Sequence, residues 1–345
     1  MRKLLILFIA LLFGGCSAVQ LNDMGIVQGI AFDKAEQKQY KMTNSMISTS
    51  EKTYENYSAE GNTVSEAASL SAGNADKDLF FGQNLLVIIS DKFAKDGIKD
   101  IVNAFYQSDD KRSSEQLVIC KGSAESALQT EAITEDTPAM SIVQNVNSAE
   151  ASTYISSCTL HEFLLDSCRN AKTALVPTGY IQTENDKTAF ELSSMSVFYD
   201  YKLIGELSED EARAAKWLRK NADGDVFIVS YENNSLCAKI NSIAVSFLEK
   251  GGGYLINADI SFSIEEAAGD KYSAETIAKI EEAAEAEAVR LINCALAAAR
   301  RLNADFINLS YRFPNADISD MSRIKFSVGA SAKLKYLGMA VSPVN

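Results

Sequence analysis

Cys16 is the first residue whose surroundings specify chemistry. It follows Arg2 and Lys3, an uncharged apolar run from Leu4 to Phe13, and two glycines. Positive charge, apolar run and small residues, in that order, make a secretory signal. The run is half as long as the roughly twenty residues that a bilayer core requires, so a cleaved leader over residues 1–15 is expected rather than a permanent span. Phe13-Gly14-Gly15-Cys16 resembles a bacterial lipobox, in which the cysteine is diacylated on sulfur and becomes the new N-terminus. Phe13 departs from the aliphatic residue usual at its position. Two acyl chains, at about 0.8 kcal/mol per buried methylene, anchor stably where one would be marginal. The plainer reading is a secreted protein with a chance cysteine at its cut site.

Elsewhere the reactive residue types stand in structural settings. His161, the single histidine, falls in the first turn of a predicted helix with no ligand partner nearby, and reads as solvent-facing. No GxSxG, HExxH, SxxK or GxxxxGK[ST] string occurs. Gly251 to Gly253 lie between two predicted strands without a following Lys-Ser or Lys-Thr, which makes a hairpin loop rather than a phosphate cradle. In SEDEA, residues 208–212, Ser208 and Glu211 have the spacing of a capping box, so these acids are expected to start a helix. Asp317 to Asp320 lack the spacing of a calcium loop. Cys120, Cys158, Cys168, Cys237 and Cys294 form an odd set without CxxC spacing; single buried thiols are expected, with a Cys158 to Cys168 bridge left open. Neither an active site, a metal nor a cofactor is expected.

Composition narrows the partners. The chain carries a net charge of −13, two units more negative once a leader holding Arg2 and Lys3 is removed. Such a surface repels phosphate backbones and anionic headgroups, which argues against nucleic acid and against polybasic membrane attachment. Any membrane link must come from lipid on Cys16.

The elements follow from periodicity. Ile26 to Asp33 and Tyr40 to Ser48 read as a hairpin, and Asn62 to Ser71 as a helix opened by Thr63 and Glu66. The unbroken apolar run 85–90, the helical spacing of Ile98, Ile101, Val102 and Phe105, and the strand 116–122 predict a parallel crossover unit. Thr130 to Ser157 lacks strong period, with part of it helical. Thr159 and Glu162 open a further helix, strands are expected at Leu175 to Gln182 and Phe190 to Tyr199, and Ser208 and Glu211 open the next helix. Leu236 to Phe247 and Tyr254 to Ile264 predict an antiparallel hairpin, the second run alternating without a break. Ala274 to about Leu302 carries an apolar stripe stepping by three and four, with acids early and arginines late as the helix dipole favours. Strands near Ile307 to Tyr311 and Ile324 to Tyr336 are expected to complete the layer. The fold class is α+β: a mixed-sheet N-terminal domain, then smaller α+β domains with an antiparallel hairpin packed on one long helix. The expected division is residues 1–15 as leader, 16–185, a small middle domain over 186–232, and 233–345.

Several strings, taken in order, resemble the spore germination lipoproteins that form the C subunits of germinant receptors in spore-forming Firmicutes (GerAC-like). GGCSAVQLNDMGIVQGIAFDK is similar to that family's start, and FFGQNLLVIISDKFAKDGIKDIVNAFYQSDDKRSSEQLVICKGSAESAL to its first-domain core. MSVFYDYKLIGELSEDEARAAKWL places Val197, Phe198, Lys202, Leu203, Gly205, Leu207 and Glu211 on the family string vFk-x-x-k-L-x-G-x-L-x-x-x-E. ADFINLSYRF and LKYLGMAVSP resemble the segments after its long helix and at its end. Departures are Ser17 for a tryptophan, Gln83 for a common histidine, Ser310 for a glycine, and a missing insertion within SYRFPNADISDMSRIKF.

The resemblance implies a non-enzymatic, lipid-anchored protein on the outer face of the spore's inner membrane, working with two multi-spanning membrane subunits, A and B, in nutrient-triggered germination. Only Cys16 receives a role by carry-over. A solute-binding lipoprotein of a transporter is the alternative; it requires two similar doubly wound lobes, whereas the C-terminal part here reads as a hairpin plus one long helix. An envelope enzyme would require a nucleophile or metal set that the chain does not offer.

Overall fold

The computed structural model describes residues 24–48, 54–107, 114–132, 137–220, 222–232, 234–264 and 273–337, so Cys16 and the leader lie outside the described residues. The described residues open with three antiparallel strands, β1 (Met24–Lys34), β2 (Tyr40–Ser48) and β3 (Tyr54–Gly61). Helix α1 (Val64–Gly73) follows, its first turn capped by the Thr63 hydroxyl accepting from the Glu66 amide. After the short β4 (Asp78–Phe80) come β5 (Leu86–Ser90), helices α2 (Asp91–Asp96) and α3 (Lys99–Tyr106), and β6 (Gln116–Lys121). β5 lies parallel to both β1 and β6, the predicted crossover unit. Helices α4 (Ala124–Ala127), α5 (Pro138–Ser152) and α6 (Leu160–Cys168) lead to β7 (Thr173–Glu184), β8 (Lys187–Tyr199) and β9 (Lys202–Leu207). The strands order as β3-β2-β1-β5-β6-β7-β8-β9, with β4 pairing beside β1.

The middle of this sheet is buried on both faces. Val87 and Ile89 of β5 with Leu117 and Ile119 of β6 face a core shared with α1, α2, α3 and α6. Leu86, Ile88, Val118 and Cys120 face a second core under α4 and α5. Such strands read as continuous apolar runs because neither face meets water. Each aliphatic side chain fully buried there contributes about 1.5–3 kcal/mol.

The remaining elements form a second sheet. Helix α7 (Glu209–Arg219) precedes β10 (Val226–Tyr231), β11 (Asn234–Lys250) and β12 (Gly253–Ile264). Helix α8 (Ala274–Leu302), the short α9 (Leu309–Arg312) and β13 (Phe326–Leu337) complete the order β10-β11-β12-β13. The β11–β12 turn runs through Gly251 and Gly252 at φ of 62° and 74°, the left-handed region that glycine occupies freely. β13 lies parallel to β12, which α8 makes possible by crossing the sheet. The stripe Ile280, Ala284, Ala288, Leu291, Ala295, Ala298 of α8 is buried against Ile256, Ala258, Ile260 and Phe262 of β12. The opposite face carries exposed Ala244, Ser246, Asp259, Ser331 and Lys333.

The edges of this sheet differ. On β13 the Ala332 amide donates to Glu285 and the Leu334 amide to Glu281, at 3.1 and 3.0 Å, so carboxylates of α8 occupy donors that an edge strand leaves open. β10 pairs β11 only over Asn234–Lys239, and beyond Ile240 the same edge of β11 has no strand beside it among the described residues.

One sequence expectation changes. The strand expected near Ile307 to Tyr311 is instead the helical turn α9. The buried Asp305 carboxylate accepts from the Leu309 and Ser310 amides, both at 2.8 Å, and Asn308 is left-handed at φ 60°, which together wind the chain rather than extend it. The weakly periodic stretch from Thr130 contains α5, started by Thr137 and Pro138. A boundary at 185/186 falls in the tip of the β7–β8 hairpin, where Glu184 pairs with Lys187. Within residues 186–232, β8 and β9 belong to the first sheet and β10 to the second.

Candidate functional site at the seam between the sheets

The box at Ser208 forms as the spacing predicts. The Ser208 hydroxyl accepts from the Glu211 amide, and the Glu211 carboxylate accepts from the Ser208 amide at 2.9 Å. The acids of SEDEA are then used in pairs: Glu209 with Arg213 at 2.7 Å, Asp210 with Arg290 at 2.8 Å, and Glu211 with Arg301 at 3.0 Å. The last two tie the start of α7 to α8.

The bases of α7 reach the other way, and this is what holds the two sheets together. Arg213 and Trp217 both donate to Asp225, which is wholly buried at the start of β10, at 3.4 and 3.1 Å. Lys216, only 3 % exposed, donates to the Glu150 and Thr153 carbonyls at the end of α5, where cations complement the helix dipole. Arg219 bridges Asp166 of α6 and the Phe306 carbonyl, and Lys220 reaches Glu150 and the Ser157 carbonyl. Burial pushes the Asp225 carboxyl up and the Lys216 ammonium down from their ordinary values, against the opposing pull of their charges. One apolar core runs through the same junction, from Leu175, Met195 and Val197 of the first sheet, past Trp217, to Phe227 and Phe262 of the second. Gly205 of β9 sits so near α8 that a Cβ there would lie 2.6 Å from Leu302, which explains a glycine at that position.

Along this seam run three adjoining clefts of about 260, 350 and 520 Å3. The first two share Arg169 and Tyr311, and the last two share Asn170. Exposed apolar groups border them: Leu165, Tyr199, Ile204 and Tyr311, the last 67 % exposed with the Arg169 guanidinium 4.8 Å above its ring. Aromatic and arginine side chains clustered on an accessible surface are the composition of a protein interface.

Of the other sequence candidates, Cys158 lines the 260 Å3 cleft and Asp317 the 520 Å3 cleft. Cys16 lies outside the described residues. His161 is exposed at the start of α6, and its Nδ1 meets the Tyr106 hydroxyl, a partner from α3 that the sequence did not disclose. Asp317 and Asp320 each accept from the backbone and hydroxyl of the serine two residues on. Cys120, Cys158, Cys168, Cys237 and Cys294 are all free, Cys120 and Cys158 buried and Cys168 exposed. Burial raises the Cys120 thiol to about 12, which keeps it protonated and inert. Among the described residues no group of three or more His, Cys, Asp or Glu is placed to hold a metal ion, and no helix is long and apolar enough to cross a membrane.

Fold and seam together define a two-sheet α+β protein in which the clustered charges serve to join two halves. The spore germination protein N-terminal domain matches residues 17–179, and the spore germination B3/GerAC-like C-terminal domain matches residues 193–326. The chain belongs to the GerAC-like family of spore germination proteins. Its fold is similar to that in the crystal structure of the GerBC protein, with a TM-score of 0.52 at 13 % identity over 89 % of this chain and 96 % of that one. Among curated proteins none matches.

Proposed function

We propose that this chain is the lipid-anchored C subunit of a spore germinant receptor, acting in nutrient-triggered germination without itself catalysing a reaction. The observation that carries this reading is the pair of family matches, the first of which begins one residue past Cys16. Diacylated Cys16 holds the protein to the outer face of the spore's inner membrane. Residues 17–23 span at most about 25 Å when fully extended, so the Met24 end of β1 stays close to the bilayer. The acidic surface adds no attraction to anionic headgroups, which leaves attachment to the lipid and to partners. The multi-spanning A and B subunits meet the seam bordered by Leu165, Tyr199, Ile204 and Tyr311.

The test is Cys16→Ala in spores, followed by lipid labelling, membrane fractionation and nutrient-triggered germination. Loss of label, release from the membrane fraction and slowed germination are expected. A variant that stays labelled and membrane-bound would sink the anchor.

A further inference from the structure

Away from the seam, α1 and α3 face each other across an open cleft of about 950 Å3. Both helices present the same spacing to it: Ser65, Ala68, Ser69 and Ala72 from α1, and Asp100, Asn103, Ala104 and Gln107 from α3 and its C-cap. That is the i, i+3, i+4, i+7 face on which a packed helix pair would carry large apolar side chains. Small and polar residues there leave the space between the helices unfilled at this point.

The floor is organised. Tyr40, 4 % exposed, donates its hydroxyl to Asp100 at 2.9 Å and accepts from Gln39 at 3.1 Å. Phe81, half-buried, adds aromatic surface. By contrast, the side chains of Ser65, Ser69, Asn103 and Gln107 make no hydrogen bond to any described residue. The cleft therefore offers two hydroxyls and two amides, each able both to donate and to accept.

Charge decides what fits. Among the described residues no lysine, arginine or histidine lines the cleft. The nearby Lys38 is paired with Glu66 at 2.9 Å. A phosphate or an amino-acid carboxylate would find no cation among the described lining residues and would meet Asp100. A ligand bearing many hydroxyls and no charge would bond the amides, share the Asp100 carboxylate and lay its C–H face on an aromatic ring. We propose that this cleft binds a neutral polyhydroxylated compound, a free hexose or an N-acetylhexosamine unit of a glycan. The site is independent of the lipid anchor and of the subunits that meet the seam.

Saturation-transfer NMR on the full-length chain in detergent tests this, with glucose, the N-acetylglucosamine dimer, alanine and inorganic phosphate as probes. Transfer to at least one sugar is expected, with neither alanine nor phosphate responding; which sugar responds identifies the source. Asp100→Asn and Asn103→Ala should each weaken that sugar by about five- to tenfold, the worth of one hydrogen bond. Ser69→Trp, at an exposed helix position, should put an indole into the space between the helices and abolish transfer with the thermal midpoint unchanged. Absence of transfer to both sugars, transfer that survives Ser69→Trp, or an equal response from alanine or phosphate would each overturn the assignment.

Discussion

Strands β5 and β12 both lie in the interior of a sheet, and they differ in what their two faces meet. All five residues of β5 are buried, with helices on either side. β12 alternates, one face under α8 and the other bordered by serine, asparagine and aspartate. The difference shows where this protein has surface to spare. The first sheet uses both faces to make a core and offers partners only what lies around it. The second keeps a broad polar face and, among the described residues, an unpaired stretch of strand edge, and depends on α7 to fix it to the first.

The dependence on α7 should show the largest effect. Asp225→Ala removes the buried carboxylate that Arg213 and Lys216 share, leaving Arg213 only the more exposed Glu209, and a broken buried pair costs about 3–5 kcal/mol. Denaturant unfolding should show that loss, and a second transition belonging to β10–β13 would sharpen the contrast between the sheets. Ile88→Ala, in the doubly covered strand, should cost about 2–5 kcal/mol through the cavity it leaves. A smaller loss would mean that the first sheet is covered less tightly than its two cores indicate. Glu281→Ala uncovers the Leu334 amide and should cost about 1 kcal/mol, with faster hydrogen exchange at that amide as the local readout.

The pH dependence of the seam is smaller still. Burial alone would raise the Glu150 carboxyl, but the bond from Ser157 and the charge of Lys220 outweigh it and hold the group below its ordinary 4.5. A carboxyl depressed by folding contributes its stability above the unfolded value and loses it as pH falls through the folded one. The thermal midpoint of Glu150→Gln should therefore fall less steeply than that of the parent below pH 4.5, and parallel curves would count against the pairing. At the bottom of the scale, Ser246→Thr on the polar face of the second sheet should change unfolding free energy by no more than about 0.5 kcal/mol.

The same contrast governed what the residues disclosed in advance. β5 and β6 were legible because burial on both faces leaves an unbroken apolar run, and α8 because its single stripe persists for eight turns. The capping boxes at Thr159 and Ser208 were local and formed as spaced. β3, β9 and β10 were not foreseen: YENYSAEG is a polar edge, KLIGEL is short and interrupted by Gly205 and Glu206, and VFIVSY lies close to a turn. The seam was invisible for a different reason. Arg213, Lys216 and Arg219 look like solvent-facing helix residues until Asp225, the end of α5, Asp166 and the Phe306 carbonyl arrive from elsewhere in the chain. Pairing between residues so distant leaves no local pattern.

The parallel seating of β13 also has a consequence in time. Tyr254 is paired with Phe326, and every residue of α8 lies between them. The loop-closure entropy of that pairing is met before any of its contacts form. Helix α8 supplies both the bridge that shortens the search and, through Glu281 and Glu285, the clasp that ends it. Closing the β11–β12 hairpin through Gly251 and Gly252 costs less loop entropy than seating β13 across the length of α8, so the last strand is the expensive pairing of the second sheet.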